Sequence, residues 1–372
     1  MGGLPRHDLW LLPLISLSTA VVLLIGTEAT SRALWPEQLF NACRLYDPAV
    51  GVHYRPNCST TMKTPEGPWY VARYNDCGYR SDAPCGPLPP SSRRIALLGT
   101  SLAEGHLVEY RDTIAAGLET DMTRLCGTPV DVQNLGVLAP FNRQLLSRMD
   151  EALRLQPKAV VLVLSTYDIE HAGSEPSAED REAPPQPIDL KEWVLRTVRE
   201  SRAVTMAQHF LSLNPAIYLR LYLRYGGETE YLHSPLSAKW QPQLAVLDRL
   251  IGALAARAQR ANVPLTFAFI PLKPQVALMG SGRAMPAGVD PMALQKAIAP
   301  IAARHGIGFI DTSVALRARP VPERLYYQVD GHLSGEGQPI AAAYIAQQLA
   351  GASEGPFAGC RGVIATRIGV TP

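Results

Sequence analysis

Between residues 93 and 311 the chain alternates short, almost uninterrupted apolar runs with longer stretches in which apolar residues recur at helical spacing, and that alternation admits few folds. The runs fall at residues 93–98, 129–132, 159–164, 265–270 and 307–311. Helical patterns begin after Asp112, cover residues 144–155, 242–262 and 291–305, and end with residues 339–349. A strand that is apolar on both faces must be covered on both faces, which is the condition of a parallel sheet held between two helix layers. The expected fold class is therefore α/β, a three-layer α/β/α arrangement around a five-stranded parallel sheet.

What precedes residue 93 has a different texture. Residues 9–27, between Asp8 and Glu28, carry no charge. At ~1.5 Å per residue such a helix nearly spans the ~30 Å hydrocarbon core of a bilayer. We read residues 1–36 as an N-terminal transmembrane anchor, with a cleaved signal peptide as the alternative. A buried soluble helix fits poorly, because the run has no polar positions at helical spacing. Residues 37–92 are dense in turn signals such as Asp47-Pro48, Pro65-Glu66-Gly67-Pro68 and Asn75-Asp76-Cys77-Gly78, and predict an irregular prelude with two or three short strands. Residues 93–350 form the main domain, with an insertion at 172–240 that opens on an acidic, Pro-rich loop, and residues 351–372 form a tail.

Cys43, Cys58, Cys77, Cys85, Cys126 and Cys360 all follow the apolar run, and four of them lie in the prelude. An even set in turn-rich sequence suits disulfides in an oxidising compartment, so at least one bridge is expected among Cys43, Cys58, Cys77 and Cys85. No Cys-x-x-Cys or Cys-x-x-His spacing supports zinc. These features predict an inner-membrane anchor with the main domain in the periplasm, or a secreted protein. Charged residues make up only 18%, and 35 basic residues nearly balance 33 acidic ones, which argues against a disordered chain and a nucleic-acid partner. No cofactor is expected, since no glycine-rich phosphate loop occurs. No metal is expected either, because His53, His106, His171, His209, His233 and His305 are scattered without ligand spacing.

Open parallel sheets bind ligands beyond the carboxyl ends of their strands, so the residues that follow each apolar run are the informative ones. The first run leads into Gly99-Thr100-Ser101, the second into Asn134-Leu135-Gly136, and the third into Ser165-Thr166-Tyr167-Asp168. Asp330-Gly331-His332 stands before the final helix. Each is a weak signal alone, since a strand-end serine is often a turn former and an Asp is often a cap. Together they put a nucleophile, an oxyanion donor, a base and an acid on one rim of one sheet. A serine hydroxyl needs a base at neutral pH, an imidazole has the intrinsic pKa to serve, and a carboxylate fixes its tautomer. The candidate catalytic residues are Ser101, Asp330 and His332, with Glu104 or Asp168 as alternatives for the acid.

These blocks resemble the SGNH (GDSL-type) hydrolases, in particular bacterial members with an N-terminal membrane segment, over residues 93–350 and more loosely over the prelude segments 51–57 and 75–80. The first-block serine matches Ser101, with Thr100 in place of the usual aspartate, and the second-block glycine matches Gly136. Asp330-Gly331-His332 is a shortened form of the last block, and the third-block asparagine is missing. The resemblance implies a flavodoxin-like SGNH fold and an oxyanion hole drawn from Ser101, Gly136, Thr166, Tyr167 and Asn142. It also implies a serine esterase or acyltransferase of the cell envelope that forms an acyl-Ser101 intermediate on an acylated, for example acetylated, glycan or another ester. The alternatives are an inert SGNH-fold protein that binds glycan or assembles with partners, and a thioesterase or lipase acting on lipid-linked substrate. In the last case residues 216–225 serve as a lid or as ordinary packing.

Overall fold

The computed structural model describes residues 8–174, 191, 196–198, 200–225, 229–282 and 284–360. The acidic opening of the insertion at 175–190 and the tail beyond residue 360 lie outside them. Helix α1 (Asp8–Leu34) contains the whole uncharged run. Residues 10–34 are long and apolar enough to cross a membrane, and the most apolar part of that stretch is not buried by the rest of the protein. Its end is docked, with Ser31 buried and Glu28 accepting from Ser201, Arg202 and Ala203.

The prelude folds as two hairpins. Strands β1 (Arg44–Asp47) and β2 (Gly51–Tyr54) pair antiparallel, as do β3 (Ser59–Lys63) and β4 (Trp69–Arg73). Two-stranded ribbons are marginal in isolation, and these ones have no separate core. Tyr54, Met62, Tyr70 and Tyr74 pack in one cluster with Leu107, Val108 and Tyr327, which come from loops of the main domain. The prelude is thus fastened to those loops by apolar burial.

In the main domain, β5 (Arg93–Gly99), α2 (Ser101–Glu104), α3 (Ile114–Cys126), β6 (Val130–Asn134), α4 (Leu145–Arg154), β7 (Ala159–Ser165) and α5 (Thr166–Glu170) follow in order. The insertion supplies α6 (Arg202–Ser212) and α7 (Pro215–Tyr225). Then come α8 (Trp240–Arg260), β8 (Leu265–Ile270), α9 (Lys273–Gly280), α10 (Ala293–Arg304), β9 (Gly308–Asp311), α11 (Ser313–Leu316) and α12 (Gly337–Gly351). The sheet is parallel throughout, in the order β6-β5-β7-β8-β9. The five strands and the helices expected between them are present, and the fold is the expected α/β one.

Strand side chains alternate between the two helix layers. Ile95, Leu97, Val161 and Val163 share one core with α3 and α12. Ala96, Leu98, Val160, Leu162, Phe267 and Phe269 share the other with α4, α8 and α10. Because both faces are buried, the strands read as continuous apolar runs and not as alternating ones. The strand order reverses at β5, between β6 and β7, so the crevice at the carboxyl end of β5 is the place where this topology opens a binding site.

Helix α7 is packed on one side only, with Ile217, Leu221 and Leu223 exposed. Leu219 is buried, the Tyr222 and Tyr231 hydroxyls lie 2.8 Å apart, and the Tyr218 ring lies 3.7 Å from Lys273 Nζ.

All six cysteines are paired, as Cys43–Cys58, Cys77–Cys85 and Cys126–Cys360. The last closes 234 residues, and constraint of an unfolded chain over so long a loop is worth about 5.5 kcal/mol in the chain-entropy account. Denatured, unreduced protein from the cell envelope is expected to show no titratable thiol and to show six after reduction. Six free thiols before reduction would overturn an oxidising location.

Candidate active site

The loop after β5 begins at Gly99, whose φ of +147° and close approach suit glycine. A Cβ there would lie 2.2 Å from the Val163 carbonyl oxygen on the neighbouring strand. The sharp exit sets Thr100 and Ser101 at the start of the one-turn helix α2. Thr100 donates its hydroxyl to Asp168 Oδ1 at 2.6 Å, and the other oxygen of Asp168 accepts from the backbone N–H and hydroxyl of Ser165. The ends of β5 and β7 are therefore locked together directly under Ser101. Burial raises the Asp168 pKa against these bonds, and the carboxyl group is committed to them.

Ser101 Oγ lies 2.7 Å from His332 Nε2, and His332 Nδ1 lies 2.7 Å from Asp330 Oδ1. An ionised carboxylate can only accept, so Nδ1 carries the proton and Nε2 is left to accept from the serine hydroxyl. The two-residue spacing closes because Gly331 adopts φ +85°, a conformation that favours glycine. Asp330 Oδ1 also accepts the His332 backbone N–H at 3.0 Å. One carboxylate oxygen thus holds both the ring and the backbone that carries it. Glu104, one alternative acid, accepts instead from the Tyr74 hydroxyl at 3.0 Å and lies 3.5 Å from Arg80 Nη1. Asp168, the other, is occupied as above.

Burial disfavours a charged His332 ring, but the charge and hydrogen bond of Asp330 outweigh it and the pKa is raised above 6.5. Burial likewise acts against the Asp330 charge, but the facing imidazole, its ring hydrogen bond and the hydrogen bond from the His332 backbone N–H bring the carboxyl pKa down to about 2. His106 stands edge-to-face against His332, with ring centroids 5.5 Å apart. Burial and the neighbouring ring push its pKa down to about 3, so His106 is neutral.

The five candidate oxyanion donors fare differently. The Ser101 N–H heads a helix and has no intrahelical acceptor. The Gly136 N–H, expected to be unobstructed, donates to Asn134 Oδ1 at 2.9 Å. That glycine instead allows close approach, since a Cβ there would meet the Glu104 backbone nitrogen at 2.3 Å. Thr166 is fully buried and donates its hydroxyl to Gln275 Oε1 at 2.7 Å. The Asn142 amide donates to the Ser174 carbonyl at 2.9 Å. The Tyr167 ring is exposed and stacks on His171 at 4.1 Å.

Other residues that shape the site gave no sequence signal of doing so. Arg80 of the prelude is completely buried and donates through Nη1 to the Glu104 and Gly105 carbonyls and through Nη2 to the Val108 carbonyl, fixing the segment that follows Ser101. Lys273, at the foot of α9, donates to the carbonyl oxygen of Gln328 at 3.1 Å and to its side-chain oxygen at 2.8 Å. A cavity of about 810 Å³ lies against the same loop, lined among others by Trp69, Leu107, Asp112, Tyr327 and Gln328.

A family profile described as an SGNH hydrolase-like domain, acetyltransferase AlgX, matches residues 229–364, a span that includes Asp330 and His332. None of the curated proteins matches the chain. Among solved structures, similarity is found to a lipase/acylhydrolase from Enterococcus faecalis, at 15% identity over 70% of this chain and 96% of that one, with a TM-score of 0.38. It is also found to the psychrotrophic esterase EstA from Pseudoalteromonas sp., at 11% identity over 68% and 94%, with a TM-score of 0.36. A third similarity is to TesA, at 14% identity over 69% and 98%, with a TM-score of 0.38.

Proposed function

We propose that the chain, whose residues 229–364 match a profile described as an SGNH hydrolase-like domain, is a serine-dependent esterase or acyltransferase of the cell envelope working through an acyl-Ser101 intermediate. The observation that carries the reading is the continuous line from the Ser101 hydroxyl through His332 to Asp330, at 2.7 Å in each step. In the first half-reaction His332 Nε2 takes the hydroxyl proton as Ser101 Oγ bonds to the ester carbonyl carbon, and the carbonyl becomes a tetrahedral oxyanion facing the Ser101 N–H. Collapse of that species breaks the bond to the leaving alkoxide, which receives the proton from His332. In the second half-reaction a water or an acceptor hydroxyl gives its proton to His332 and attacks the acyl carbon, and Ser101 leaves with the proton returned. Asp330 stabilises the imidazolium formed in each half without taking the proton.

Supporting an acylated glycan as substrate is the profile described as an SGNH hydrolase-like domain, acetyltransferase AlgX. The apolar helix α1 and the three disulfides support an anchored, extracytoplasmic location. A second reading, a binding protein of the same fold without turnover, draws on one observation: the Gly136 N–H and the Asn142 and Thr166 side chains are bonded elsewhere. A lost oxyanion donor costs about 2.7–4 kcal/mol of transition-state stabilisation.

A fluorophosphonate probe separates the two. Purified protein is expected to be labelled at Ser101, with labelling lost in Ser101→Ala. Absence of labelling at every pH tested would favour the binding protein.

A further inference from the structure

We propose that Glu66, at the tip of the β3–β4 hairpin, is a positioning residue for the loop that carries Asp330 and His332. The inference rests on the catalytic reading of that loop and adds to it a residue 262 positions away in sequence from the first amide it holds. The Glu66 carboxylate is almost wholly buried, with its side chain 2% exposed. It accepts three successive backbone N–H groups: Gln328 at 2.9 Å, Val329 at 3.0 Å and Asp330 at 3.0 Å. Its fourth partner is His209 Nδ1 on insertion helix α6, at 2.7 Å. A buried carboxylate is tolerated where donors converge on it, and here the converging donors are the backbone immediately before the catalytic acid.

The hairpin tip is rigid enough to serve as such a clamp. Lys63 Nζ donates to the Gly67 carbonyl at 2.6 Å, and the Gly67 N–H returns to Thr64 O at 3.2 Å. Gly67 also packs so closely on Tyr327 that a Cβ would lie 3.0 Å from its hydroxyl oxygen. From the other side Tyr327 donates to the Leu107 carbonyl, and Lys273 holds Gln328. Fixing the amide of Asp330 fixes where its carboxylate hangs, and that carboxylate sets both the tautomer and the direction of His332. Glu66 touches none of the three catalytic side chains, so its effect passes through loop geometry alone.

The full chain with Glu66→Ala and with Glu66→Gln provides the test, read by amide hydrogen exchange and by steady-state hydrolysis of a short-chain aryl ester. Exchange at residues 328–330 is expected to accelerate at least about tenfold in Glu66→Ala, since the carboxylate is what closes those amides. The value of kcat is expected to fall on the order of 10- to 100-fold, as for a misplacement of about 1 Å in a catalytic group, with KM within about twofold. Glu66→Gln keeps the shape and one acceptor oxygen, so it should recover part of both effects. Unchanged exchange at residues 328–330 would overturn the proposal, and so would a loss confined to KM. If the parent protein turns over no ester, the catalytic reading fails, and the exchange measurement still decides whether Glu66 holds the loop.

Discussion

Ser101→Ala is expected to remove turnover of a short-chain aryl ester while leaving the fold intact. The Ser101 hydroxyl bonds to His332 and sits at the first position of a one-turn helix, where alanine is a good helix former. The expected change in stability is about 1 kcal/mol, the net worth of one side-chain hydrogen bond. The kinetic effect is of another order. Loss of the nucleophile in a subtilisin-type triad costs about 10⁶ in kcat, and the residual rate there comes from an oxyanion hole and substrate binding. Here the Gly136 N–H is already occupied by Asn134, so less residual rate remains to be seen. Steady-state hydrolysis alongside a thermal melt is the measurement. Unfolding of the variant would show that Ser101 has a structural duty, and equal activity in both proteins would eliminate the serine mechanism.

How much of this was legible beforehand depends on the range of the interactions involved. The sheet was readable because burial on both faces writes itself into each strand as a local apolar run, as in residues 159–165. The position of Ser101 followed from where the first such run ends, and those of Asp330 and His332 from an Asp-x-His placed just before the final helical pattern. The oxyanion candidates were not decidable from sequence, because a backbone N–H or an amide is available only if nothing nearer accepts it. Asn134, Gln275 and Ser174 each settle that by one hydrogen bond. The prelude read as turns, and its two hairpins do form, but their purpose lay in long-range contacts. Glu66 in Pro65-Glu66-Gly67-Pro68 has the composition of an exposed turn, and only the approach of Gln328, Val329 and Asp330 makes it a buried clamp. Arg80 is a similar case, since a buried arginine is recognisable only by the carbonyls it serves.

Asp330→Asn and His332→Ala should differ in depth and in kind, and the difference separates a working triad from three groups that happen to be adjacent. Removing the imbidazole of His332 removes the base, with an effect comparable to that of Ser101→Ala. Asp330→Asn keeps the shape but presents an amide to Nδ1 and so loses control of the tautomer, which in a serine-protease triad costs about 10⁴ in kcat. The pH dependence gives a second, independent reading. Because the folded pKa of His332 is raised above 6.5, its neutral, proton-accepting form is gained only as pH climbs through that raised value, so the acid limb of kcat/KM should lie above pH 6.5. The same shift means that the ion pair's contribution to stability from His332 is complete below 6.5 and is lost as pH rises through the folded value. Asp330 has the opposite sign: with its pKa brought from 3.8 down to about 2, its contribution is present above 3.8 and is lost as pH falls toward 2. In Asp330→Asn the carboxylate charge is gone while the burial of the ring remains, so the acid limb of the surviving activity should move to lower pH. A pH profile of kcat/KM for the two proteins checks this directly. An acid limb that stays in place would show that Asp330 does not set the charge of His332, and a limb that moves upward would require a different acid on the ring.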